Sequence, residues 1–578
     1  MLAALAPFLL IGLCAVPWVL LVAPRYGGRL AITAVVTGGP LLVLAVQTLT
    51  GVVHLPALAT LLVATVGVGL LGLALLVRAR LPLPACSLLL PWLAAGLGGI
   101  VWLGAVALAF ALPGADPLSW AMSGDGANNL QHARNNLLDD GINPGRGITV
   151  PLVSALLGVA MSLGRPESGD SALLAHDLVA LSTFFALALA IASTLIGMVA
   201  ASLLPRGRAL AAGAASLLGC TWLVAGLPID SGYLNGPISI ALLLLAWLAF
   251  LDSERAPIFS LSLQLGVAIL VMSTWSPLLV VSLALLIATL MRSWVVVRVL
   301  RGRAAIPVVV AIAAILAITA VTLAPAFIGD SSVFATPGHG FPVTVGILGG
   351  ASVLAVVLAA RRRREHPRQF DGVIALVAAS IAGTAALLAL ASGTTDPFGA
   401  YYPAKLGWML SVLLCTVALS LVLAAVSRRV VTIVTIAAAI LLASVGPAPV
   451  REYNAVLPPL ARILGGEVWH DGDHSAAVII DHVGENAILW DSGEPDEAYI
   501  NYWLVALGPN QTLSSSAIDG YRELRDTGSF TPPALDQLCL LLPVLGAGGT
   551  VYTSSAGSAD RVREACNSPE TTVAPLGG

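Results

Sequence analysis

Charged side chains are scarce along this chain, and lysine is all but missing. Of its 578 residues 10% are charged, whereas a soluble domain carries about 25%. That deficit excludes a chain whose surface meets water throughout. The net charge of −3 carries no information about nucleic acid, but with no basic domain and no base-stacking platform no nucleic-acid partner is expected. The short signatures of familiar soluble chemistry are missing too. HExxH, paired CxxC, Walker A and GxSxG motifs are all absent, so metalloprotease, redox, ATPase and α/β-hydrolase readings have no support. Cysteine is sparse, with six in all. Cys14, Cys86, Cys220 and Cys415 lie in apolar runs and read as packing residues. Cys539 and Cys566 lie near the C-terminus, and a disulfide between them is expected if that region is outside the cytoplasm.

What the chain has instead is apolar length. Runs of about 20 residues, enough to cross a hydrocarbon core as helix, recur from Met1 to about Val445. Short alternating strands are absent, which argues against a membrane barrel. The N-terminal MLAALAPFLLIGL has no positive flank, so it reads as a retained first span and not a cleaved signal.

The single lysine is Lys405; the remaining basic residues are arginines, the bias of a GC-rich genome. Basic loops stay cytoplasmic, and arginines cluster at 25–29, 78–80, 206–208, 255, 292–303, 361–368 and 428–429. Strict alternation follows if spans fall near 3–23, 30–50, 56–77, 84–112, 178–204, 209–226, 237–251, 257–273, 277–291, 305–325, 343–360, 372–392, 404–427 and 430–446. The apolar stretch 150–164 is short for a span and is expected to lie in the membrane plane or re-enter. The expected fold is therefore an α-helical polytopic membrane protein of the cell membrane, with about fourteen spans over 1–446. A small α/β domain, 447–578, follows outside the cytoplasm. Within it AAVIID (476–481), NAILWD (486–491) and TVYTS (550–554) read as strands. PDEAYINYWLVALG (495–508), SAIDGYRELRD and SADRVREAC read as helices, and the tail after Asn567 as loose.

The informative polar residues fall on the outward side of this topology. The longest outward loop, 113–150, contains SWAMSGDGANNLQHARNNLLDDGINPGRG. From Gly126 to Gly141 it reads as an amphipathic in-plane helix, capped by Ser123 or Asp125. Asn129, His132, Asn136 and Asp139 share one face. Leu130, Ala133 and Leu137 form the other, expected to rest on lipid. GDG sets the Asp125 carboxylate between two glycines, where a substrate can approach, and makes it the first candidate acid. Asp139 and Asp140, beside Gly141, read as helix-end and turn residues. A second constellation, TTDPFGAYYPAKLGWML (394–410), puts Tyr401, Tyr402 and Trp408 at the outer end of a span with Lys405 about one turn inside. An intramembrane ammonium is a functional-site signal unless it snorkels to the interface. A phosphate at headgroup level would satisfy it together with the tyrosine hydroxyls. Asp230, Asn235, Trp275 and His339, from three further outward loops, are candidates to line the same cavity.

A many-span chain with an acidic outward loop, an in-plane helix and a C-terminal extracytoplasmic domain resembles the GT-C glycosyltransferases. It is most similar to actinobacterial cell-envelope members that use polyprenyl-phosphate sugars. The resemblance covers the architecture of the whole chain and, locally, GDGANNLQHARNNL and YYPAK. It implies that Asp125 is the catalytic base and that Lys405, Tyr401 and Tyr402 hold the donor phosphate. By their outward positions Asn129, His132, Asp230 and His339 are the candidates to line the substrate cavity. The reaction implied is an inverting transfer of a sugar to a glycan or lipid acceptor. No cofactor is required, although a carboxylate-bound Ca²⁺ or Mg²⁺ is compatible. One departure is that the family's acidic loop follows the first span, and here it follows the fourth. The rival class is a transporter or flippase of a lipid-linked saccharide, which predicts charges at mid-depth and broken helices.

Overall fold

The computed structural model describes residues 1–79, 86–115, 117–144, 150–166, 170–204, 207–292, 344–392, 400–425, 472–494, 497–507, 549–566 and 572–575, with isolated positions between them. The chain is a helical polytopic membrane protein. Among the described residues seven helices are long and apolar enough to cross a bilayer, or eight if one bent pair is a single span. They are α1 (Leu2–Tyr26), α2 (Gly28–Val53), α3 (Ala57–Ala79), α4 (Cys86–Ala109), α7 (Asp170–Ala201), α14 (Pro367–Leu390) and α15 (Tyr401–Ala425). The expected spans at 305–325 and 430–446 lie outside the described residues.

Lipid-facing surface is written into the outer helices. On α3, Val63, Leu70 and Val77 are 74%, 61% and 69% exposed. Their seven-residue interval makes a continuous apolar stripe that water would penalise and acyl chains would not. At the centre runs α10 (Asn235–Leu251), buried on every side from Asn235 to Phe250. Around it pack α2, α11 (Pro257–Met272), α12 (Leu279–Arg292), the inner faces of α7 and α15, and α14, while α13 (Thr344–Arg361) packs on α15 and α14.

Two elements differ from the expectation. The stretch at 150–164 forms α6 (Pro151–Met161), whose eleven residues are all buried. It is covered by protein on every side, as its all-round apolar surface requires, an environment that a re-entrant helix shares and a helix lying on the lipid surface does not. The expected span at 209–226 is broken. Helix α8 (Arg208–Ser216) continues to Cys220, Thr221 is extended, and the chain resumes through Trp222–Gly226 into α9 (Leu227–Ser231), with a bend of 48°.

The C-terminal residues build a three-stranded parallel sheet in the order β1 (Ala487–Leu489), β2 (Thr550–Thr553) and β3 (Thr572–Pro575). Two sequence expectations are corrected here. AAVIID is not a strand but part of α16 (Gly472–His482). Ala476 and Ile479 are its buried apolar positions, with Val483 buried just past its end, and their three- and four-residue spacing is helical. The tail after Asn567 is not loose throughout, since 572–575 pairs with β2. Between the strands come α17 (Glu497–Leu507) and α18 (Ala556–Ala565), the latter capped by Ser555. Cys539 and Cys566 are bonded, with Cα atoms 4.9 Å apart. The sheet has two faces. Ala487 and Leu489 join the core of the membrane helices, whereas Ile488 joins Val551, Val562 and Val573 on the far side.

Candidate functional site

The loop between α4 and α5 (Gly126–Leu138) is pinned before it reaches Asp125. Trp120 is buried and donates its indole N–H to Ser182 Oγ on α7 at 2.8 Å. Two turns then meet backbone to backbone. Gly124 and Gly232 have φ of +41° and +65°. A Cβ on Gly124 would lie 2.1 Å from Ser231 O, and one on Gly232 would lie 1.8 Å from Ser123 O. Only glycine supplies both the dihedral and the clearance. The contact is tied by Asp125 N–H donating to Ser231 O at 3.0 Å. Asn129 Nδ2 adds bonds to Asp125 O at 2.9 Å and Gly232 O at 3.4 Å.

Asp125 stands at the N-cap position of α5, but its side chain makes no capping bond. It turns instead to α15, where the Tyr401 hydroxyl donates to Asp125 Oδ2 at 2.9 Å. One turn along that helix, Lys405 Nζ donates to the same hydroxyl at 2.7 Å. Lys405 is 1% exposed. Its ammonium sits 3.8 Å from the ring centre of Tyr233, 4.8 Å from that of Tyr401 and 5.8 Å from that of Trp275. An ammonium in this setting gains about 2 kcal/mol from each well-placed ring face once desolvated. Tyr402 stacks on Trp275 with centroids 6.1 Å apart.

Sequence positions 276 residues apart are thereby joined as carboxylate, phenol and ammonium. The phenol accepts from the cation and donates to the anion, so each charge strengthens the other's hydrogen bond without direct contact. Oδ1 of Asp125 has no protein partner among the described residues. One oxygen is anchored, and the other is left to work.

The remaining candidates divide. The Lys405 ammonium does not face an open space beside Asp125, because the Tyr401 hydroxyl fills the gap. Asn129 serves the backbone of the site. His132 lies two turns along α5, half-buried, with Nδ1 unbonded and its pKa lowered by burial. Asp230 lies in α9 just before the Gly232 turn; His339 lies outside the described residues. Helix α5 itself does not rest on lipid. Leu130 and Ala133 are fully buried, against α6, and α17 covers the helix from the other direction. The reason is Arg134, which pairs with Asp177 of α7 at 2.8 Å and draws the helix into the protein.

Two residues of the site were not singled out in the sequence. Tyr233 follows the Gly232 turn, and its aromatic ring one residue after an SG pair was the available signal. Trp503 of α17 is fully buried and donates to Met122 O at 2.8 Å, three residues before Asp125. Nothing local in the sequence marks it. Among the described residues no three His, Cys, Asp or Glu side chains gather as a metal site. The chain matches no protein-family model, no curated protein and no solved structure.

Proposed function

We propose that this protein is a membrane glycosyltransferase that moves a sugar from a polyprenyl-phosphate donor to an envelope glycan or lipid acceptor on the outer face of the membrane. The observation that carries the reading is the Asp125–Tyr401–Lys405 chain. A carboxylate with one oxygen anchored and one free is the form a general base takes. In the proposed reaction Asp125 Oδ1 removes the proton of an acceptor hydroxyl. The acceptor oxygen then attacks the anomeric carbon, and the bond to the lipid phosphate breaks with its electrons leaving on phosphate. Tyr402 meets the phosphate, and Lys405 acts from behind as a fixed positive charge that strengthens the hydrogen bond by which Tyr401 holds Asp125. Its role is thus positioning and electrostatic, where the sequence pointed to direct phosphate binding.

The second reading, a flippase for a lipid-linked saccharide, is favoured by the 48° break between α8 and α9 and by the buried Arg134–Asp177 pair. One experiment separates the two. Purified protein in proteoliposomes is given short-chain polyprenyl-phosphate pentoses and hexoses with glycan acceptors, and release of polyprenyl phosphate is measured. Turnover abolished by Asp125→Asn supports the transferase. Donor scrambling between leaflets without bond cleavage would replace it with the flippase.

A further inference from the structure

Helix α10 starts beside the Asp125 loop and ends at Asp252, about 25 Å away at 1.5 Å per residue. At that far end, among the described residues, Arg29 and Arg368 close on one turn that itself carries Arg255, and Arg208 lies beside them. Arg29 forks onto Asp252, with Nε to Oδ2 at 2.8 Å, and also donates to Ser202 O at 3.2 Å. Arg368 pairs with Glu254 at 2.7 Å and reaches Ser253 Oγ at 3.3 Å. Arg208 spends only Nε, on Leu204 O, and lies within electrostatic reach of Arg29 and Arg255. Arg255 is exposed and has no side-chain partner among the described residues. The two carboxylates of the turn are therefore taken by Arg29 and Arg368, so that among the described residues no carboxylate answers Arg208 or Arg255.

The helices that start at or just after those two guanidiniums also expose apolar side chains in their first turns. Leu210 is 54% exposed two residues after Arg208, and Ile258 is 44% exposed three residues after Arg255. Tyr26, 41% exposed, lies three residues before Arg29 and packs on Phe259 at 5.3 Å. A soluble anion would be served by the arginines alone and would gain nothing from this flank. An amphiphile is served by both.

We infer that the Asp252 turn is a binding site for an anionic phospholipid, with its phosphate on Arg208 and Arg255 and its acyl chains along Leu210 and Ile258. The neighbouring run Arg361–Arg364 adds to the positive field that draws such a headgroup. The site is independent of the transferase reading, since it lies at the other end of α10 from Asp125.

Native mass spectrometry of the full chain tests it, after titration with phosphatidylglycerol or phosphatidylcholine of identical acyl chains. Retention of phosphatidylglycerol is expected to exceed that of phosphatidylcholine by about tenfold. Arg208→Gln with Arg255→Gln is expected to erase the preference, and Arg563→Gln, in α18, to leave it unchanged. Arg255→Gln alone guards against misfolding, because that side chain holds nothing in place; it is expected to lower the preference severalfold. Equal retention of the two lipids, or a preference that survives the double substitution, overturns the site. Displacement of phosphatidylglycerol by millimolar inorganic phosphate would overturn the lipid assignment in favour of a small anion.

Discussion

Two clusters of buried charge lie on either side of α5, and they are built on opposite plans. In one, Asp177 is fully buried and receives Arg134 Nε at 2.8 Å and both nitrogens of an Arg165 fork at 3.1 Å. His176 adds a contact at 3.3 Å and anchors to Leu163 O. Here every carboxylate oxygen is used, and the cluster ties α5, the 162–166 segment and α7 together. In the other, Lys405 and Asp125 never touch. A phenol stands between them, and one carboxylate oxygen stays unclaimed. Buried charge satisfied by direct pairing holds a structure together, and removing one partner strands the rest. Buried charge satisfied through an intermediary, with capacity left over, is available for chemistry.

The contrast can be broken most directly at Asp125. Asp125→Asn keeps the hydrogen bond from Tyr401 but removes the basic lone pair, so turnover should fall about 10²–10⁴-fold, with a thermal midpoint close to the parent in fluorescence-detected size exclusion. An equal collapse of the midpoint would mean that Asp125 is structural after all. Asp177→Asn should do the reverse. It strands two guanidiniums, at a cost of about 3–5 kcal/mol, and should lower the same midpoint by about 10 °C; a stable variant would show that the cluster is not a clamp.

Smaller effects sharpen the roles. Tyr401→Phe removes the shared hydroxyl and should lower turnover by about tenfold to a hundredfold, mostly in kcat. Lys405→Met removes the charge and keeps the stem, so insertion should be intact or easier and turnover should fall with little change in donor KM. A rise confined to KM would mean that Lys405 binds the donor directly. Last, Trp503→Phe loses one hydrogen bond, worth about 1 kcal/mol, and should expose the 117–125 loop to limited proteolysis; unchanged cleavage would show that the loop does not depend on α17.

Much of this was legible in the residues. Apolar length located most of the helices, because lipid imposes a length that composition must meet. Gly-flanked Asp125 and the solitary Lys405 were visible as anomalies, and the structure joins them. The failures share a cause. The surroundings of α5 and α6 depend on Arg134 meeting Asp177, 43 residues on, and no local pattern encodes such a partner. AAVIID was misread because its short apolar run fits a strand, while the helical period appears only when Val483 is included. The Tyr401 bridge was hidden by distance alone.

The bond from Trp503 to Met122 O also constrains how the molecule is made. Two segments that touch outside the apolar helices must be delivered to one compartment, so the chain between them crosses the bilayer an even number of times. An inserted or deleted single crossing anywhere from 150 to 471 would strand the two halves in different compartments. The order of synthesis follows as well. The loop that presents Asp125 is translated early, yet its indole brace arrives only when residue 503 has been made and has reached the same side. The site is therefore unfinished until Trp503 has been made, 381 residues after the Met122 carbonyl it braces.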